Sequence, residues 1–117
     1  MRLKLPLLRL LIVLGLLHLY LRYARNAELL AMLAPRPVML IAGETDAWSD
    51  PYGEFLAARL ATPVYRLFGK EGVDGIPQID VQTRGDLVYM MHSAGHGPAP
   101  QDTPAILAFL DRNLRAS

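Results

Sequence analysis

Side chains suited to acid–base chemistry lie in two loops of this chain, and each loop follows a short apolar run. The first loop carries Glu44, Asp46 and Trp48, and the second carries His96 between two glycines. A carboxylate that holds one nitrogen of an imidazole orients the ring and stabilises its charged form. The other nitrogen can then take a proton from a hydroxyl nucleophile. The two loops therefore predict the acid and the base of a nucleophilic catalyst.

The chain offers no serine in the sequence context that such a nucleophile needs. Its three serines are Ser49, Ser93 and Ser117, and none lies in a G-x-S-x-G turn. Ser93 is three residues before His96, which is too near in the chain for an in-line approach to the imidazole Nε2. One large class of hydrolases places the nucleophile first, the acid second and the histidine last. This sequence holds the second and third members in that order.

The acid of the pair has two candidates: Asp46 is preferred and Glu44 is the alternative. The simpler interpretation of Asp46 is a side chain that caps the backbone amides of its own loop. We expect Asp46 and His96 to be catalytic.

Metal and cofactor chemistry have little support in the sequence. His92 and His96 have the i, i+4 spacing of a metal site on a helix, but Gly95 and Gly97 disfavour a helix there. His92 is predicted instead to be a structural residue at the end of a strand. Zero cysteines exclude disulfides and thiolate zinc sites. Residues 43–46 lack the glycine–lysine spacing of a phosphate loop, so we expect no metal and no cofactor.

Two short apolar runs, at 38–42 and 87–91, predict strands that are buried on both faces. Asp50 followed by Pro51 predicts the start of a helix between them. A helical crossover between buried strands indicates a parallel pair. Loops at the carboxyl ends of neighbouring parallel strands lie side by side, which would bring Asp46 within reach of the second loop.

Further elements are predicted around these strands. Asn26 can cap a short helix at 27–33, and Asp102 opens a last helix. Residues 63–68 could form either a helical turn or a short strand, and 69–85 are predicted to be loop. Two strands cannot bury both faces of a sheet by themselves. The sequence therefore predicts an α/β fold with two parallel strands and flanking helices. Either the rest of the sheet lies in another chain, or this sequence is the tail of a longer protein.

The overall composition excludes several classes of protein. The 117 residues are enough for one small domain, with 52% hydrophobic and 20% charged side chains and a net charge of +1. These values exclude a disordered chain, a collagen-like repeat and a protein that binds nucleic acid through bulk positive charge.

The amino-terminal segment differs from the rest of the chain. Residues 1–25 contain no acid and five basic side chains, which are Arg2, Lys4, Arg9, Arg22 and Arg25. Residues 26–117 contain seven basic and eleven acidic residues. A basic start followed by an uncharged stretch at 10–21 is typical of a signal sequence or membrane anchor. The alternatives are an ordinary buried helix and a non-native lead, translated from sequence upstream of a truncated gene. We therefore predict an apolar basic helix at 1–25 and an α/β body at 26–117. A signal or anchor would make the protein secreted, periplasmic or membrane-anchored, with membrane contact through 1–25.

Four blocks of the chain resemble glucuronoyl esterases, which are carbohydrate esterases with an α/β-hydrolase fold. They are LLAMLAPRPV at 29–38, GETDAWSDPYGEFLAA at 43–58, PVYRLFGK at 63–70 and SAGHG at 93–97. The resemblance extends over roughly residues 28–115 and is most specific in the second block. It identifies the chain with the carboxyl-terminal portion of that family.

The resemblance implies a serine esterase that cleaves, without metal, esters between lignin alcohols and the glucuronic acid of xylan. The family's histidine matches His96, and an acid position of its bacterial members matches Asp46. The tryptophan that borders the family's sugar-acid pocket matches Trp48, which implies that Trp48 binds substrate; the simpler alternative is that it packs over the loop. The family's serine elbow, its neighbouring arginine and a glutamate on an earlier strand have no counterpart here. We therefore expect a fragment without activity of its own. Two alternatives are a complementing chain that supplies the serine, and an inactive membrane-anchored remnant that binds a carbohydrate or a partner.

Overall fold

The computed structural model describes residues 4–115, except for the side chains at positions 22 and 23. Arg2 of the basic segment and Ser117 therefore lie outside the described residues, as does the side chain of Arg22. The elements in chain order are helix α1 (Leu5–Ala31), strand β1 (Val38–Gly43), helix α2 (Pro51–Leu67), strand β2 (Leu87–His92) and helix α3 (Thr103–Leu114). A 3₁₀ turn, Pro100–Asp102, leads into α3.

The two strands form a parallel pair, which confirms the predicted α/β architecture. Val38 lies opposite Leu87, and the register continues to Gly43 opposite His92. The outer edge of β2 is covered, because the amide of Asp80 donates to the carbonyl of Met91 at 2.7 Å. Among residues 4–115, β1 has no strand partner on its other edge.

Helix α2 covers the strand pair with one apolar face. Asp50 caps it by accepting a hydrogen bond from the amide of Gly53 at 3.2 Å, and Pro51 takes the first helical position, where no donor is needed. Of the two alternatives for 63–68, the helix is the correct one, because α2 continues to Leu67 and contains Pro63. The core joins this helix to the strands through a set of buried residues, namely Ala42, Phe55, Ala58, Ala61, Tyr65, Val73, Leu87, Tyr89 and Met91.

Two tyrosines fix the position of α2 over the sheet. The buried hydroxyl of Tyr65 donates to the carbonyl of Arg36 at 2.9 Å, just before β1 begins. Tyr89 on β2 donates to the carbonyl of Pro51 at 2.5 Å, at the start of the helix. Burial raises the pKa of the Tyr89 hydroxyl, so it keeps its proton as a donor. The segment that enters β1 and the start of α2 are therefore each held by a tyrosine hydroxyl.

The first helix is longer than the sequence pattern indicated. A separate helix at 27–33 capped by Asn26 is wrong, because α1 runs without interruption from Leu5 to Ala31. Leucine and alanine favour helix on both sides of Asn26, and the cost of one asparagine in a helix interior is only a fraction of a kcal/mol, about 0.7 at most. The helix ends shortly before Pro35 and Pro37, as expected. The division between 1–25 and 26–117 thus falls inside a continuous helix and stays a prediction.

Helix α1 is also long and apolar enough to cross a membrane. Its most apolar window has a mean hydropathy of 1.7, and none of that window is buried against the rest of the chain. A signal sequence near an amino terminus satisfies the same criteria of length and composition. The helix is therefore consistent with a signal or an anchor.

Candidate active site

The carboxyl ends of the two strands bring the predicted loops together. The amide of Glu44 donates to the carbonyl of His92 at 2.9 Å, so the pairing continues one residue beyond β1. The amide of Thr45 then donates to the carbonyl of Ala94 at 3.4 Å. The acid loop and the histidine loop are therefore joined by backbone hydrogen bonds before their functional side chains are reached.

Gly43 permits the close approach of these two loops. A Cβ atom at this position would lie 2.0 Å from the carbonyl oxygen of Gly95 and 2.6 Å from that of Ala94. Both neighbours are backbone atoms, which cannot rotate away as a flexible side chain can. The requirement for glycine here is steric.

Gly43→Ala is expected to separate the loops and to lower the free energy of unfolding by about 1–3 kcal/mol. Gly95→Ala is the matched control, because its Cβ would meet nothing closer than the Thr45 hydroxyl at 3.7 Å. Urea unfolding of both variants in detergent micelles measures the difference. Equal stability of the two variants would show that the close approach at Gly43 is not required.

Asp46 holds His96 by a direct hydrogen bond. The imidazole Nδ1 donates to Asp46 Oδ2 at 2.6 Å. The other carboxylate oxygen, Oδ1, accepts from the amide of Trp48 at 3.2 Å, and the Ser49 hydroxyl donates to the Asp46 carbonyl at 3.3 Å. One oxygen of the Asp46 carboxylate therefore caps its own loop, and the other binds the imidazole of His96.

Asp46 is buried and remains ionised. The hydrogen bond from His96 lowers the pKa of the Asp46 carboxyl from its ordinary value of 3.8, and the lowering outweighs the opposite effect of burial. An ionised carboxylate at Nδ1 is what a catalytic imidazole needs to carry a positive charge during reaction.

The lowered pKa predicts how stability depends on pH. A carboxyl group whose pKa is lower in the folded state stabilises that state above 3.8, and this contribution is lost as the pH falls through the folded pKa. The stability difference between the wild type and Asp46→Asn should therefore be larger at about pH 6 than at about pH 3. Unfolding midpoints in urea measure it, with Ser93→Ala as a control that removes no titrating group. A difference that grows as the pH falls would contradict the expectation.

The ring of His96 is open to an incoming group. Its side chain is 87% exposed, although Nδ1 is bound to the buried carboxylate. Within residues 4–115 its Nε2 forms no hydrogen bond, so this nitrogen is available to a hydroxyl that approaches from outside the described chain. The arrangement matches that of a general base with one nitrogen oriented and the other free to react.

The remaining predicted residues lie around this pair. Glu44 directly follows β1 and is half-buried, and no hydrogen bond joins its carboxylate to His96 in the described part of the chain. Trp48 is 98% exposed, so it does not pack over the loop and its indole faces solvent next to Asp46. The Ser49 hydroxyl is bound to the Asp46 carbonyl, and Ser93 is exposed.

One carboxylate near the site was not expected from the sequence. Glu54 lies in the first turn of α2, where sequence reasoning assigns acids to the helix dipole. Burial raises the pKa of the Glu54 carboxyl, and the charges of Asp46 and Asp50 raise it further. Across residues 4–115, no three His, Asp or Glu side chains cluster as the ligands of a metal would.

Comparison with known protein sequences shows that this chain is similar to a carbohydrate esterase. No family model matches the sequence. A carbohydrate esterase from an unknown prokaryotic organism is 34% identical over 88 residues, which are 74% of this chain and 20% of that protein.

Solved structures give the same result. A CE15 glucuronoyl esterase from Teredinibacter turnerae matches 75% of this chain and 22% of its own, with 38% identity and a TM-score of 0.67. A glucuronoyl esterase from Solibacter usitatus matches 75% of this chain and 23% of its own, with 34% identity and a TM-score of 0.69. This chain thus spans about a fifth to a quarter of the length of the proteins it resembles.

Proposed function

Because this chain is similar in sequence and in fold to the carboxyl-terminal part of glucuronoyl esterases, we propose that it supplies the acid and the base of a serine carboxylic ester hydrolase. The observation that supports this most strongly is the 2.6 Å hydrogen bond between Asp46 Oδ2 and His96 Nδ1. It lies beyond the carboxyl ends of two neighbouring parallel strands, where α/β enzymes carry their catalytic groups.

The proposed reaction uses Asp46, His96 and the hydroxyl of a serine supplied by a complementing segment. His96 Nε2 takes the proton of a serine hydroxyl as its oxygen attacks the ester carbonyl carbon, and the ring becomes an imidazolium. Asp46 stabilises that cation through Nδ1–H. The imidazolium then gives its proton to the departing alcohol oxygen, and an acyl-enzyme remains. Water repeats the sequence and releases the acid, which restores the serine.

The serine is proposed to come from a complementing segment that pairs with β1. The outer edge of β2 is bonded to Asp80 and Thr83, whereas among residues 4–115 β1 has no strand on its other edge. An unpaired edge beside the acid loop is where another strand of the same sheet adds with least rearrangement. The hydroxyl would thus approach the exposed face of His96 from the β1 side.

The substrate is proposed to be a glucuronate ester of xylan, with a lignin-like alcohol as the leaving group. Trp48 supports this, because a fully exposed indole beside a catalytic acid offers an aromatic face on which a sugar ring can stack. The solved relatives are glucuronoyl esterases, and in this chain a tryptophan follows Asp46 by two residues.

A reconstituted esterase tests the proposal. We define it as this chain co-expressed with the amino-terminal portion of the Teredinibacter turnerae enzyme, cut where the matched segment begins. It should hydrolyse a benzyl ester of glucuronic acid at least about tenfold faster, in kcat/KM, than an aryl acetate. The 117-residue chain alone should show only background hydrolysis of either ester. Robust turnover by the chain alone that is lost in Ser93→Ala would overturn the proposal.

A second candidate function is a membrane-anchored, non-enzymatic protein that binds a carbohydrate or a partner chain. The unburied apolar surface of α1 favours it. Membrane fractionation after expression tests the anchor, and a fully soluble monomer would remove its main support. The secreted, periplasmic or anchored location rests on the same helix.

A further inference from the structure

His92, the last residue of β2, is fully buried and makes two directed hydrogen bonds. Its Nδ1 accepts from the amide of Ala94 at 3.1 Å, and its Nε2 lies 2.8 Å from the carbonyl oxygen of Gly97. A backbone N–H can only donate, so Nδ1 must carry no proton. The ring proton is therefore on Nε2 and is donated to Gly97.

These two bonds are on either side of His96. Ala94 is two residues before it and Gly97 is one residue after it. The segment between them has no regular structure, and Gly97 has a φ of +83°. Glycine-rich backbone loses much conformational entropy when it is fixed in one conformation. The buried ring of His92 is bonded to both ends of this short segment, and at the Ala94 end it acts together with the amide of Thr45.

The side chain of Asp102 lies beside the His92 ring. The Asp102 carboxylate is also fully buried, and its Oδ2 lies 3.6 Å from His92 Nε2. The same oxygen accepts from the amide of Ala99 at 2.6 Å, beyond the far end of the His96 segment. The ring is thus bonded to the loop that carries His96, and the carboxylate beside it is bonded to the turn before α3.

We infer that His92 is a positioning residue: its buried imidazole holds the 94–97 backbone so that His96 Nδ1 meets Asp46. The inference rests on the proposed function only in treating Asp46 and His96 as a catalytic pair. The geometry itself concerns the tautomer and orientation of His96, which can be measured without turnover.

The test is the imidazole tautomer of His96, read from ¹⁵N–¹H NMR spectra of the ¹⁵N-histidine-labelled full chain in detergent micelles at about pH 8. Wild-type His96 should be mainly the Nδ1–H tautomer, because Asp46 accepts that proton. In His92→Phe, which keeps the bulk and loses both bonds, the Nδ1–H fraction should fall about twofold or more.

Two further variants make the comparison specific. His92→Gln keeps a donor near Gly97 and should restore part of the Nδ1–H fraction. Ser93→Ala, an exposed change in the same loop, should leave it as in the wild type. An unchanged His96 tautomer in a folded His92→Phe variant would overturn the inference.

The wild-type chain gives an independent check in case His92→Phe fails to fold. The His92 ring should itself be the Nε2–H tautomer, with its Nε2 proton protected from exchange. Finding His92 with its proton on Nδ1 would overturn the inference without any variant. A reconstituted esterase with no activity would count against the proposed function alone, since the tautomer measurements do not depend on turnover.

Discussion

His96→Ala is expected to lower kcat of the reconstituted esterase on a benzyl glucuronate ester by about 10⁴-fold or more. The imidazole accepts a proton in acylation and donates it to the leaving alcohol, so its loss removes the base and the acid of both half-reactions. KM should change little, because the ring does not bind the sugar. Steady-state rates with the benzyl ester measure both constants.

His18→Ala is the matched control for this change. His18 is an exposed histidine on α1, distant in sequence from both loops. Its replacement should leave kcat within about twofold of the parent, as is usual for surface substitutions away from a site. Retention of full activity in His96→Ala would show that another group is the general base.

Asp46→Asn is expected to have the second largest effect, a fall in kcat of about 10³–10⁴-fold. The amide carries no charge to stabilise the imidazolium, and its nitrogen can bind only the wrong tautomer of His96. Since the side chain keeps its shape, the loop that Asp46 caps through Trp48 should persist. The kcat of the reconstituted variant measures the loss.

Glu44→Gln tests which of the two candidate carboxylates, Glu44 or Asp46, is the catalytic acid. Its carboxylate forms no hydrogen bond with His96 within the described chain, so its loss should change kcat by less than about threefold. A large effect at Glu44 together with a small effect at Asp46 would reverse the assignment of the acid.

The architecture could be predicted from local patterns because the residues that bound each strand and helix are visible in the sequence. The apolar runs at 38–42 and 87–91 are bounded by proline, glycine and polar residues, which leaves only a short buried strand as a solution. Asp50 and Pro51 then mark a crossover helix, and the crossover makes the strands parallel. The meeting of Asp46 with His96 follows, since both lie just beyond the carboxyl ends of paired strands.

Other features depend on contacts that no local pattern records. Asn26 has the type of a helix cap, but its neighbours on both sides favour helix, so α1 passes through it. The need for glycine at position 43 arises from the backbone of Gly95, which is 52 residues away in the sequence. The sequence predicted His92 to be a structural residue at the end of a strand, but its bonds to Ala94 and Gly97 depend on how the following loop folds back onto the ring.

The role of Trp48 also could not be decided from the sequence. Its type is compatible with packing or with sugar binding, and the sequence could not separate them. Its 98% exposure excludes packing within the described chain, because burying an indole would remove most of its surface from water. The indole remains free to contact a ligand or a further segment of the sheet.

The rate of benzyl glucuronate hydrolysis by the reconstituted esterase, measured against its two separate parts, tests most directly whether this chain completes a serine esterase. The chain alone and the amino-terminal portion alone should each hydrolyse the ester at background. Together they should exceed that background by about 10³-fold or more, and the gain should disappear with His96→Ala. Copurification of the two parts with no gain in rate would contradict the assignment of Asp46 and His96.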